Sequence, residues 1–304
     1  MIDILMPTYN GARYVRQQIE SLLAQTCTKW RLIIRDDGSS DDTVCICQER
    51  AAAHPGKIRL LSDARGRLGV TGNYGELLRR SEGEYVMFCD QDDVWLSTKI
   101  EKTLNIMHRT EREYGDSMPI LAHTDSRVVD ENLRMIAPSL LRFLHRAPNP
   151  SLNRLCMELP IYGHSVMINR SLRQIGGIIP EGFRSWDWWY PLVAVVFGRI
   201  VYLDEPLTLF CRHAQTATSF KKHGVLNYAA KSLSDHRRRV HMSFQQCEIF
   251  YEKFGPCLDA EHRKFFASVS SIRTANWITR KRLVLHHRLF KTGPLKTLGV
   301  LLAA

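Results

Sequence analysis

Acidic residues bunch at a few points of this chain, and their spacing suggests chemistry. Asp90-Gln91-Asp92-Asp93-Val94-Trp95 follows a short apolar run. Carboxylates packed this closely at the end of a buried strand repel one another unless a cation sits among them. A divalent metal bound to a diphosphate would supply that charge, and hard oxygen ligands suit Mg²⁺ or Mn²⁺. An EF-hand does not fit, because no acidic loop carries its Asp, Gly and terminal Glu spacing. A second acidic turn, Asp36-Asp37-Gly38-Ser39-Ser40-Asp41, precedes a helical pattern. An Asp there can accept hydrogen bonds from a pyrimidine, although the same composition also serves plain turn chemistry. Pro7-Thr8-Tyr9-Asn10 has the same ambiguity. Asp187 stands among Trp186, Trp188 and Trp189. Apolar surroundings raise a carboxylate's pKa, which suits a general base, and the indoles can stack on a sugar ring. Asp125 is the next candidate for that role. His213 could complete a metal site through a neutral imidazole. Gly66, Gly69, Gly72 and Gly75 do not spell a dinucleotide fingerprint, and no P-loop lysine pattern occurs.

The elements that must position these residues follow from periodicity. Short apolar runs at 2–6, 30–35, 58–61 and 85–89 predict strands. Amphipathic spacing over 12–25, 69–80 and 98–109 predicts helices between them, with Ser40 capping a further helix after the second strand. This alternation predicts an α/β fold with a mostly parallel sheet. In such sheets ligands bind beyond the carboxyl ends of the strands, where PTYNG, DDGSSD and DQDD all fall. Further strands are predicted at 119–123, 165–169, 200–203 and 206–210, with a helix from Trp186 to Phe197. Beyond 224 the pattern is helical, broken at Gly255-Pro256 and Gly293-Pro294.

Taken in order, PTYNG, DDGSSDDT, GNY, GEYVMFCDQDDVW and SWDWW resemble family 2 glycosyltransferases of the GT-A fold, over roughly residues 1–220. DQDD-x-W followed by D-W-W looks most like the bacterial rhamnosyltransferase-type branch. The resemblance implies a nucleotide-sugar-binding GT-A domain at 1–220, with a nucleotide-sugar half at 1–125 and an acceptor half at 126–220. A basic helical extension occupies 221–304. It implies that Pro7, Thr8, Tyr9, Asn10, Asp37, Gly69, Asn73, Asp90 and Gln91 bind the donor, that Asp92 and His213 hold the metal, and that Asp187 is the catalytic base. His213 falls where the family often carries a Tyr-Arg-x-His segment. Here Phe210-Cys211-Arg212-His213 keeps the His but loses the Tyr and the Arg, unless a one-residue gap restores the Arg, and Thr216 stands where Asn is common. The implied reaction is inverting transfer of a sugar, rhamnose among the candidates, from a dTDP- or UDP-linked donor to a glycan or lipid-linked acceptor in cell-surface polysaccharide synthesis.

Composition bounds the alternatives. The 304 residues are 44% hydrophobic and 24% charged, enough apolar material for a core. The net charge of +11 is unevenly placed. From Arg212 to the end there are 17 Lys/Arg and 5 Asp/Glu, while the preceding 211 residues hold 25 and 26. That asymmetry predicts an anionic partner, and interleaved aromatics favour a membrane surface over nucleic acid. A non-catalytic binder on a transferase-like core is the rival reading, and it has no use for DQDD. A sugar-phosphate nucleotidyltransferase would want a Gly-rich basic loop near the start, which PTYNG is not. The eight cysteines form no CxxC pair, and no secretory signal or spanning segment is evident. The expected location is therefore the cytoplasm, peripheral on the inner face of the cytoplasmic membrane.

Overall fold

A computed structural model describes residues 1–213 and 233–303. Within the first unit, strands β1 (Ile2–Thr8), β2 (Trp30–Asp36), β3 (Ile58–Leu61) and β4 (Tyr85–Phe88) are parallel, in the order β3-β2-β1-β4. The connecting helices are α1 (Val15–Leu23), α2 (Thr43–Ala53) and α3 (Gly69–Arg80). β1 is central, and Ile2, Ile4, Leu5 and Met6 are all buried. A strand covered on both faces reads as a continuous apolar run rather than an alternating one, which is why these strands are visible in the sequence.

β4 then pairs antiparallel with β8 (Val166–Asn169), β8 antiparallel with β6 (Ile120–Asp130), and β6 parallel with β9 (Arg199–Arg212). Two short strands complete the sheet: β5 (Val94–Trp95) on β9 and β7 (Met135–Ala137) on β6. The segments predicted at 200–203 and 206–210 are one strand. Pro206 lacks an N–H, and the ladder absorbs it by register shifts beside Asp125 rather than by ending. Helix α4 (Lys99–Tyr114) follows DQDD; α5 (Leu140–Phe143), α7 (Arg170–Gly176) and α8 (Trp186–Phe197) complete this unit. The expected Ser40 cap is not formed: α2 begins at Thr43, and the Ser40 N–H donates to Asn10 Oδ1 at 2.9 Å.

The second unit gathers 150–160 and 180–184 with the described C-terminal residues, so two short stretches before 220 pack with the helical region. Its helices are α6 (Leu152–Met157), α9 (Leu233–Phe254), α10 (Ala260–Ser270), α11 (Trp277–His286) and α12 (Pro294–Ala303). Phe244, Phe250, Phe266, Val269, Ile272 and Val284 form its interior, with Phe250 and Phe266 stacked at 4.6 Å. Among the described residues, no helix is long and apolar enough to cross a membrane.

Candidate functional site

The site is assembled at the carboxyl ends of β1, β2 and β4. The chain leaves β1 through Tyr9 into Asn10, which adopts a left-handed conformation at φ 46°. Its backbone N–H donates to Ser39 Oγ (2.8 Å) and its side chain accepts from Ser40 N–H, so the loop after β2 holds the loop after β1. Asp36 stabilises that second loop by accepting from Gly38 and Ser39 N–H and from Thr8 Oγ1. Asp37 is buried and accepts from Leu68 N–H (2.7 Å), Gly69 N–H (2.8 Å) and Arg35 Nη1 (3.2 Å). A carboxylate offers about four acceptor positions, so roughly one remains for a ligand.

Several sequence-predicted donor residues have their polar atoms turned to the protein itself. The Gln91 amide pairs with both backbone groups of Tyr9, at 3.0 and 2.9 Å. It occupies the space that a Cβ at Gly11 would need, 2.2 Å from Gln91 Oε1. Asn73 donates to the Arg35 carbonyl from a buried position. These residues shape the loops on which Pro7 and Thr8 lead into Tyr9. Tyr9 is exposed, and the Arg67 guanidinium lies 4.0 Å over its ring.

The acidic group follows β4. Tyr74 Oη donates to Asp90 Oδ1 (2.9 Å) and to the Cys89 carbonyl (3.0 Å). Asp92 Oδ2 lies 2.8 Å from His213 Nε2, joining the predicted pair, and the His213 ring stacks on Tyr14. Burial and the neighbouring Asp90 charge raise the Asp92 pKa, while His213 opposes the shift. Asp93 is fully buried; its Oδ1 accepts from Cys211 N–H, while Oδ2 has no hydrogen-bond partner. Burial, then Asp92 and Asp90, push its pKa up.

His164, absent from the sequence-based set, faces this group. Its Nδ1 is 3.8 Å from Asp90 Oδ2 and 3.6 Å from Asp93 Oδ2, and its Nε2 is 2.9 Å from Ser126 Oγ. Ligand atoms of Asp90, Asp93 and His164 lie within 4.8 Å of one another. Lys99 was missed as well. Its buried Nζ donates to the His164 carbonyl (2.7 Å) and to Thr208 Oγ1, and sits 4.3 Å over the Trp95 ring. Burial lowers its pKa to about 7. A hint lay in the spacing, since Lys99 shares the buried face of α4 with Thr103, Ile106 and Thr110.

Asp187 is in the first turn of α8 and accepts from Ser185 Oγ. Its pKa is raised to about 6, first by desolvation and then by the Asp90 charge, against hydrogen bonds from Ser185 and the Gly163 backbone. Preceding it, Trp186 packs against Tyr74 at 3.9 Å and Phe88 at 4.4 Å. Asp125 is engaged by its own neighbours. Its carboxylate accepts from Ser126 N–H, Leu141 N–H and Ser139 Oγ, and so anchors the start of α5. Thr216 lies outside the described residues.

The donor chemistry fits a divalent cation: carboxylate oxygens and imidazole nitrogens converge, and the buried Asp93 Oδ2 has no hydrogen-bond partner. Residues 3–158 match Glycosyl transferase family 2. The chain belongs to that family. Among its relatives, a glycosyltransferase of Rickettsia felis is 26% identical over 261 residues, covering 84% of this chain and 38% of that protein. WfgD of Escherichia coli, a UDP-Glc:alpha-D-GlcNAc-diphosphoundecaprenol beta-1,3-glucosyltransferase, is 32% identical over 107 residues, 35% of this chain and 41% of WfgD. The chain thus spans well under two thirds of either relative. The mannosyltransferase PcManGT of Pyrobaculum calidifontis, solved with GDP-Man and Mn²⁺, shares the fold at a TM-score of 0.56 and 16% identity, over 99% of this chain and 85% of that one. The α/β fold of this family 2 member is therefore of the GT-A type, as the sequence motifs implied.

Proposed function

We propose that the chain is an inverting, metal-dependent glycosyltransferase that moves a hexose, rhamnose among the candidates, from a UDP- or dTDP-sugar to a glycan or lipid-linked acceptor. The observation that carries this is the convergence of Asp90, Asp93 and His164, with Asp92 on His213, just after β4; Asp187, whose pKa burial raises to about 6, supplies the base. The pyrimidine would meet Tyr9 and the remaining acceptor position of Asp37. Tyr74 orients Asp90 toward the ribose or diphosphate. Asp92 and His213 would hold Mn²⁺ or Mg²⁺, with Asp93 and His164 behind them. When bound, the cation would offset negative charge on the departing diphosphate. Asp187, ionised above about pH 6, takes the proton from an acceptor hydroxyl as that oxygen attacks the anomeric carbon from the face opposite the diphosphate. The nucleoside-diphosphate sugar named for WfgD supports the donor class, and its diphosphoundecaprenol acceptor supports the lipid-linked one. The proposed place of work is the cytoplasmic face of the membrane, where such an acceptor is presented.

The test is to incubate the protein with UDP- and dTDP-sugars, Mn²⁺ and a polyprenyl-diphosphate sugar. Sugar transfer with stoichiometric release of nucleoside diphosphate is expected. No release with any donor, although the protein is folded and binds UDP, would overturn the reading.

A further inference from the structure

From His262 to Ala304 the chain carries nine Lys/Arg and not one Asp/Glu. The helices built from this stretch also expose large apolar side chains. On α11, Trp277 is 65% exposed, and Ile278 and Leu285 are each 53% exposed. On α12, Leu298 and Leu302 are 52% and 57% exposed. These two helices hold five of the thirteen large hydrophobic residues exposed among the described residues. An excess of this kind over scattered surface apolar groups marks an interaction surface.

Helical spacing organises the face. Ile278, Arg282 and Leu285 follow one another at i, i+4 and i+7, so they share one stripe of α11. Trp277 and Lys281 form the adjacent row, with the ammonium 5.2 Å from the indole ring. Val284 turns the other way and is buried. On α12, Leu298 and Leu302 stand one turn apart, while Val300 and Ala303 are buried. The segment between the helices is fixed. Leu289 is buried, Asn153 Nδ2 donates to the His287 carbonyl, and Thr292 N–H donates to Glu158 at 3.0 Å. The exposed apolar groups are therefore displayed by an anchored scaffold within the helical unit.

We propose that the outer faces of α11 and α12 dock onto a bilayer surface rich in anionic phospholipid. Nucleic acid would satisfy the cations but leaves Ile278, Leu285, Leu298 and Leu302 without a role. A protein interface would bury the apolar groups, but interface centres are depleted in the Lys residues found here. A lipid interface accepts both: the indole and aliphatic groups enter the headgroup boundary, and Lys and Arg meet phosphate. The proposal deepens the membrane-side part of the function proposed above and rests on it for its biological sense, yet its test needs no transfer activity.

The experiment uses the whole chain with phosphatidylcholine vesicles, with and without phosphatidylglycerol. The protein has six tryptophans, and Trp30, Trp95, Trp186, Trp188 and Trp189 are all buried, so quenching by bromine-labelled lipid reports chiefly on Trp277. Quenching and co-sedimentation are expected with phosphatidylglycerol alone, weakening as salt rises. Lys281→Gln with Arg282→Gln should weaken vesicle binding about 25-fold at low salt, each charge being worth about 1 kcal/mol there. Trp277→Ser with Leu285→Ser removes the quenching reporter, so it is read by co-sedimentation: the protein should leave the pellet, while UDP still raises its Tm. Equal binding to neutral vesicles, no binding to anionic ones at low salt, or indifference to both double variants would overturn the proposal. So would tight RNA binding, or a dimer, lost with Trp277 and Leu285 in a protein that ignores vesicles. Vesicle binding without any UDP binding would instead sink the transferase reading and leave the docking face standing.

Discussion

Gly163→Ala is a small change with a large expected effect. A Cβ at Gly163 would lie 1.9 Å from Cη2 and 2.2 Å from Cζ2 of Trp186, whereas ordinary contact begins near 3.4 Å. The indole must then retreat by about 1.5 Å. That retreat is opposed by Tyr74 and Phe88, which pack on the buried ring. Overpacking of a filled core costs about 1–3 kcal/mol. At about 2–4 °C per kcal/mol for a domain of this size, Tm should fall by about 2–12 °C. The rate should suffer more than the stability. Trp186 is the residue before Asp187, Gly163 N–H is one of that carboxylate's hydrogen bonds, and Tyr74 orients Asp90. Misplacing a reacting group by about 1 Å costs on the order of 10²-fold. The assay is nucleoside diphosphate release from UDP- and dTDP-sugars, with Tm measured in parallel. Trp186→Phe in the same chain removes the clashing ring atoms, so the double variant should be more active than Gly163→Ala alone. A Gly163→Ala protein with wild-type rate and Tm, or a double variant whose losses simply add, would refute the steric argument.

Asp187→Asn should leave UDP binding within a few-fold of wild type and lower turnover by roughly 10²–10⁴. In the wild type, kcat/KM should rise with pH through about 6 as Asp187 ionises, and the variant should lack that limb. Asp92→Ala should remove Mn²⁺-enhanced binding of UDP in calorimetry. If His164→Asn removes it and Asp92→Ala does not, the cation belongs to Asp90, Asp93 and His164. For Lys99 the folded pKa of about 7 lies below the ordinary lysine value of 10.5, so the unfolded chain binds more protons between these values. Stability from this group therefore rises with pH across that window. The difference in Tm between wild type and Lys99→Met should shift in favour of the wild type from pH 7 to pH 10, and a pH-independent difference would contradict the assignment.

The parallel half of the sheet was legible because β1, β2 and β4 are apolar runs bounded by turn residues. β9 reads as two segments in the sequence because Asp204 and Glu205 interrupt the apolar pattern before Pro206, whereas the ladder continues through them with register shifts beside Asp125. In the site, contiguous motifs were readable and long-range partners were not. DQDD announces carboxylates, but nothing linear says that His164 faces them or that Lys99 reaches the His164 carbonyl. Gly163 gave no signal, because its importance lies in the space that Trp186 takes. The polar residues of the loops carry a second role that the sequence does not announce. Asn10, Asn73 and Gln91 read as ligand contacts, and their side chains also hydrogen-bond neighbouring backbone. Asp125 looked like a spare base because its three hydrogen bonds come from groups as distant as Leu141.

The division of labour among the carboxylates follows from what surrounds each. Burial pushes Asp92 and Asp93 up first, and then the Asp90 charge acts on Asp92 and the Asp92 and Asp90 charges on Asp93. Added positive charge would oppose that shift, because an opposite charge favours the ionised carboxylates and offsets both their repulsion and the cost of their burial. Asp187 is pushed up mainly by desolvation, with Asp90 second. Charge compensation at Asp90 would trim its shift but leave the larger cause in place. One group of carboxylates would thus become firmly ionised when the site is loaded, while Asp187 keeps enough basicity to take a proton near neutral pH. Environments that separate titratable groups in this way assign acid–base roles. Here the separation rests on the burial of the first turn of α8, whose Trp186 ring occupies the space that Gly163 leaves open.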